Sequence, residues 1–163
     1  MSRTTLHVGL ALCLAALTSS DVAAQRKGFI IGFGAGPGLT TGGVDSKIGA
    51  TLSLKLGGMA SETVQLYVTS KANFFSEDGA LVLAGVHGLG VTQQWPSGFN
   101  INGAIGVATW IDFDWSTYAG FGAGVGVGYE FTDNWVIDLG GQWGRREDLN
   151  VFNIALTINW MSF

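Results

Sequence analysis

The sequence predicts an all-β fold, a transmembrane eight-stranded antiparallel up-and-down β-barrel. The first observation behind this is a two-residue beat of apolar with small or polar residues in Ile48–Leu56, Val64–Val68, Phe99–Val107, Phe121–Phe131 and Phe152–Trp160. A strand sends successive side chains to opposite faces, so each segment has one apolar face and one polar or glycine-rich face. The second is that the polar faces, built of Gly, Ser, Thr, Asn and Gln, hold too little apolar bulk for an ordinary core. The apolar faces must then meet lipid. The third is the placing of the aromatics, which fall near segment ends rather than mid-segment.

The first two dozen residues stand apart from this pattern. Arg3, the apolar run Leu6–Leu17 and Val22-Ala23-Ala24 have the order of a secretory leader with a small-residue cleavage site. The apolar run is shorter than the roughly 20 residues that a spanning helix needs. We expect cleavage after Ala24, leaving a single barrel domain over 25–163. Cys13 is the only cysteine and lies in that leader, so the remaining chain has no disulfide or thiolate metal site.

Turn chemistry divides the rest into eight segments of about ten residues, enough to cross a bilayer when tilted. Gly28–Gly36 is stopped by Pro37-Gly38 and the Thr40–Gly43 loop, and Ser46–Leu56 by Gly57-Gly58. Thr63–Phe74 ends before Ser76-Glu77-Asp78-Gly79, and Ala80–Thr92 at Gln93–Ser97. Phe99–Ile111 is followed by an Asp112–Tyr118 loop. Ala119–Phe131 turns tightly through Thr132-Asp133-Asn134 into Trp135–Gly144, and Arg145–Asn150 leads to Val151–Trp160. Both prolines are expected at segment ends, where no ladder bond is lost. Closure is obligatory, because an open edge in hydrocarbon leaves amides unpaired.

The aromatics form two expected girdles at headgroup level. Trp95, Trp135 and Trp160, with Phe29, Phe99, Tyr129, Phe131 and Phe163, fall near the rim that carries the termini. Trp110, Trp115 and Trp143, with Phe74, Phe75, Phe113, Tyr118, Phe121 and Phe152, fall near the other. Phe33 and Tyr67 lie between them.

At this point the chain resembles the small eight-stranded outer-membrane barrels of Gram-negative bacteria, the OmpA/OmpX and opacity-protein type. The resemblance covers the whole of 25–163 and rests on pattern, on the Gly126–Trp135 strand–tight turn–strand, and on the terminal Phe163. It implies a porin-like outer-membrane protein with its termini in the periplasm, outer-membrane lipids as surroundings, and the barrel-assembly machinery as a partner during insertion. One departure concerns Phe163, which falls on the opposite face from Phe152, Ile154, Leu156, Ile158 and Trp160. A bulge near Met161 or a short tail would account for it.

With apolar faces outward, the interior receives Lys47, Thr51, Ser53, Lys55, Gln65, Tyr67, Thr69, Lys71, Asn100, Asn102, Trp110, Glu130, Asp138, Gln142, Asn153, Thr157 and Asn159. Lys55, Glu130 and Asp138 are expected at similar depth. With Lys71 and His87 they make a candidate lumenal charge network, since a buried charge without a partner is expensive. Gly32, Gly34 and Gly36, and Gly120 to Gly128 at every second position, also face inward. Such glycines mark close approach, either of neighbouring side chains or of a small ligand.

Several functions are disfavoured. The net charge is −4 and no basic run appears, so nucleic acid is not an expected partner. The inward glycines do not have the G-x-G-x-x-G spacing of a dinucleotide loop. His87 is the only histidine after the leader; a barrel-type lipid A deacylase would carry a serine two residues later, and Gly88-Leu89 stand here instead. No catalytic, cofactor-binding or metal-binding residues are assigned, and no cofactor is expected. The four presumed outer loops are short, which disfavours a large adhesive surface. The expected role is non-enzymatic, structural or at the surface, with a small or plugged polar lumen. The alternatives are a narrow channel or binder of a small lipid-like ligand, and, behind these, a lipid A-modifying enzyme. The sequence does not set the oligomeric state.

Overall fold

The computed structural model describes residues 28–42, 45–112, 116–146 and 148–162. The expected leader, Trp115 and Phe163 lie outside them. The strands are β1 (Phe29–Thr41), β2 (Lys47–Met59), β3 (Val64–Glu77), β4 (Ala80–Gln94), β5 (Phe99–Asp112), β6 (Ser116–Thr132), β7 (Trp135–Arg146) and β8 (Leu149–Ser162). Each pairs antiparallel with its sequence neighbour, and β1 pairs with β8 to close the ring. No sheet edge is left open among the described residues.

The wall is inverted relative to a soluble protein. Ile48 (82% exposed), Val125 (72%) and Leu89 (67%) point outward, in a belt that also includes Leu52, Leu66, Ile105 and Leu139. In water so continuous an apolar surface would drive association. In a bilayer it is the required surface. The chain is a transmembrane eight-stranded antiparallel barrel.

Turn residues fit their positions. Asp78 (φ 50°) and Gly79 (φ 87°) join β3 to β4 as a two-residue hairpin loop that demands left-handed backbone at both positions. The β6–β7 ladder shifts between Glu130 and Thr132, which leaves Phe131 as an extra residue beside the tight turn.

Three expectations about the elements are corrected. Pro37 does not end β1; the strand continues to Thr41. Proline is tolerated there because the β1–β8 pairing skips Gly36 and Pro37 and resumes at Gly38↔Ala155. β6 begins at Ser116, so Thr117 and Tyr118 belong to the wall rather than to a loop. No bulge occurs near Met161, since Gly32↔Met161 and Ile31↔Ser162 continue one unbroken register.

Candidate functional site

Among the described residues, the lumen is where polar side chains from most of the strands converge. Its contents follow from the alternation, because the inward position of every second residue collects Thr, Ser, Asn, Gln and the charged groups. Thr51, Ser53, Gln65, Thr69, Asn73, Thr92, Asn100, Asp138, Asn153, Thr157 and Asn159 are all buried.

Lys71 of β3 and Asp138 of β7 form an ion pair, Nζ to Oδ1 3.1 Å. These strands stand four apart in a ring of eight, so the pair runs straight across the barrel. Asn102 Nδ2 donates to the other carboxylate oxygen of Asp138 at 2.5 Å. Gln142 on β7 reaches back to the carbonyl oxygen of Lys71 at 3.1 Å. Toward the end away from the termini, Asn153 of β8 donates to the carbonyl of Ala84 on β4, again a strand four away, at 3.3 Å. Asn153 Oδ1 accepts from Thr40 at 2.6 Å, and Thr40 Oγ1 accepts from Asn73 at 2.7 Å. These bonds are crossbars. A buried carboxylate is tolerable here because both its oxygens are engaged and a cation is adjacent.

Both ends of the lumen carry apolar groups, of which the alternation argument anticipated only Trp110. At the end away from the termini, Phe75, Val82, Ala84, Trp110 and Val151 form a cluster with Tyr118 against it. At the other end, Ile30, Val136 and Met161 cluster with Met59. Beside that second cluster, Gln65 donates to Gln94, and Gln94 Nε2 donates to Glu130.

The candidate charge network is therefore distributed. Lys71 and Asp138 are brought together. Glu130 lies at the terminal end, where Gln94 donates to it, and forms no ion pair with Lys55. Lys55 Nζ lies 5.1 Å from the centroid of the Tyr67 ring, a cation–π placement, and makes no ion pair among the described residues.

His87 is a correction. It stands opposite Ser70 and Val107 in the ladders, at positions in phase with Leu89 and Val91, so it faces the lipid and not the lumen. Its Nδ1 lies 2.8 Å from Ser70 Oγ and its Nε2 2.7 Å from Thr109 Oγ1. Three polar side chains on adjacent strands thus satisfy one another on an otherwise apolar wall, which removes most of the cost of placing them there. The cross-strand hydroxyl could not be read from the residues following His87. The cluster holds no carboxylate to orient the imidazole. The ladders around it occupy the backbone N–H groups that would serve an oxyanion. Among the described residues no three His, Cys, Asp or Glu side chains gather as a metal site.

Several inward glycines lie beneath large side chains of neighbouring strands. A methyl group on Gly126 would meet the Asn102 amide at 2.8 Å, and one on Gly128 would meet the Asn100 amide at 2.8 Å. Asn159 occupies the corresponding place at Gly34, Tyr67 at Gly90, and the sulfur of Met161 at Gly32, at 2.5 Å. Glycine on one strand makes room for a large residue on the next.

The aromatic bands are mostly on the wall as expected. Trp95 packs on Phe99 (centroids 5.5 Å apart), Trp160 on Phe33 (5.3 Å) and Trp143 on Phe121 (6.0 Å), while Trp135 is 43% exposed. Trp143 Nε1 also donates to Asn150 at 3.0 Å. Trp110 is the exception: at 3% exposure it points inward, edge-on to Phe75. It is a plug residue and not part of a girdle. Phe75 and Tyr118 are inside with it because they share the inward phase of their strands.

No family model matches the chain, and no curated protein matches it. Solved structures do. Ail, the attachment invasion locus protein of Yersinia pestis, in complex with the heparin analogue sucrose octasulfate, superposes with a TM-score of 0.58 at 13% identity, over 84% of this chain and 99% of Ail. The outer membrane protein OprG from Pseudomonas aeruginosa gives 0.58 at 11% identity, over 87% and 99% of the two chains. Neisserial surface protein A, NspA, gives 0.57 at 15%, over 82% and 95%. The fold is that of the small eight-stranded outer-membrane barrels. Identities this low carry the architecture and no residue of a site, so the lumen and wall described above stand on their own geometry.

Proposed function

We propose that the protein is a non-enzymatic bacterial outer-membrane barrel with a structural or surface role and a closed lumen. The observation that carries this reading is the set of bonds between diametrically opposed strands, Lys71–Asp138, Gln142 to the Lys71 carbonyl, and Asn153 to the Ala84 carbonyl. Water and ions would have to pass both these crossbars and the Phe75–Trp110–Val151 cluster. Support for the outer membrane comes from the apolar belt, the closed sheet and the leader-like first 24 residues. The termini then lie on the periplasmic side, and the barrel-assembly machinery and outer-membrane lipids are the partners this reading requires.

Planar-bilayer recording of the purified barrel is the test. A closed lumen gives no steady unitary current, whereas steady openings that vanish on blocking the lumen would establish the narrow channel instead. Mass analysis of lipid A from cells with and without the protein addresses the enzymatic alternative. An unchanged acyl pattern is expected; a change that depends on His87 would overturn the non-enzymatic reading.

A further inference from the structure

Among the described residues, Lys55 and Asn100 are lumenal side chains that make no hydrogen bond with the rest of the barrel. The carboxylate of Asp138 is already occupied, by Lys71 on one oxygen and Asn102 on the other. Glu130 is engaged with Gln94 at the terminal end. Lys55 has only the face of Tyr67. Asn100 is 4% exposed, and its amide makes no hydrogen bond among the described residues. Both side chains line one pocket, with Gln65, Thr92, Val136 and Met161 around them. Lys55 and Lys71 both stand by Asp138, and only Lys71 lies at ion-pair distance from its carboxylate. The Lys55 ammonium has no carboxylate at ion-pair distance among the described residues, and burying such a charge is costly.

We propose that this pocket binds a small monovalent anion of halide size, held by Lys55 Nζ and the Asn100 side-chain amide. The chemistry of the donors selects the class. An ammonium and an amide N–H both donate, and the free space is small, which disfavours phosphate and larger oxyanions. The Tyr67 ring backs the lysine on its other side, and the glycine at 128 leaves the room in which the Asn100 amide lies. Met161 and Gln94 line the pocket on its terminal side, away from the Asn153 crossbar. The site is thus compatible with a lumen that does not conduct.

The test uses bromide as the probe on the full barrel in detergent or bilayers. Crystals grown in bromide should show one anomalous peak between Lys55 and Asn100. Exchanging sulfate for bromide should raise the folded-to-unfolded ratio several-fold in urea titrations of the wild type. Asn100→Asp places a carboxylate beside the ammonium, so that variant should fold, lose the peak and lose the bromide response. Lys55→Met should lose both as well. Absence of the peak in ordered wild-type crystals, or an equal bromide response in wild type and Asn100→Asp, would overturn the proposal.

Discussion

Lys71 and Asp138 face each other across the full width of the barrel, Nζ to Oδ1 3.1 Å, from strands that share no ladder. A strut of this kind couples opposite walls that the backbone connects only around the circumference. Removing one member leaves the other as a buried, unpaired charge, which costs about 3–5 kcal/mol, while replacing both by apolar groups is close to neutral. Asp138→Asn and Lys71→Met should each lower stability in urea unfolding from lipid vesicles by that amount. The double variant should recover most of the loss. Additive losses would show that the two residues act independently.

The outward setting of His87 can be read directly. With Cys13 confined to the expected leader, His87→Cys introduces a single labelling site into the mature barrel. A fluorophore there should be quenched by brominated acyl chains and not by aqueous iodide. Quenching in the opposite sense would return His87 to the lumen.

Leu52 lies mid-strand on the lipid face and is 52% exposed. Leu52→Arg should destabilise the folded barrel in bilayers by about 2–4 kcal/mol, the cost of an arginine on the lipid face near the midplane. Unfolding titrations measure this. A negligible loss would remove that face from the hydrocarbon.

Gly36 lies in the β1–β8 seam, where an added methyl would overlap the Leu156 carbonyl oxygen and the Thr157 backbone. At Gly58 the same methyl would meet only the Gly28 carbonyl, at 3.2 Å. Gly36→Ala should therefore lower the unfolding midpoint clearly more than Gly58→Ala. Equal effects would mean that the seam between first and last strands is not tightly closed.

Much of this architecture was legible in the residues. The phase of most strands followed from their alternation, and Lys55, Lys71, Glu130 and Asp138 could be assigned to the interior from it. Pro37 was misread because proline normally ends a strand; only the gap in the β1–β8 ladder shows why it need not. Trp110 was assigned both to the interior and to a girdle, and the partners that decide between them, Phe75 and Val151, are 35 and 41 residues away. His87 sits in a segment, Leu81–Val91, where small apolar residues occupy both faces, so the alternation that orients other strands is weak.

The sequence by itself determined the strand count, the lipid-facing surface and the closure of the sheet, because these depend on a period of two and on turn chemistry, both local. Tertiary structure alone decided which charges meet, which glycines are filled by which amides, and that His87 pairs with hydroxyls on the outer wall. Those depend on shear and on distances across the ring, and no spacing along the chain encodes them. All of it requires hydrocarbon outside and side chains inside; a detergent-free monomer in plain buffer, with Leu52 and Val125 shielded from solvent, would be incompatible with it.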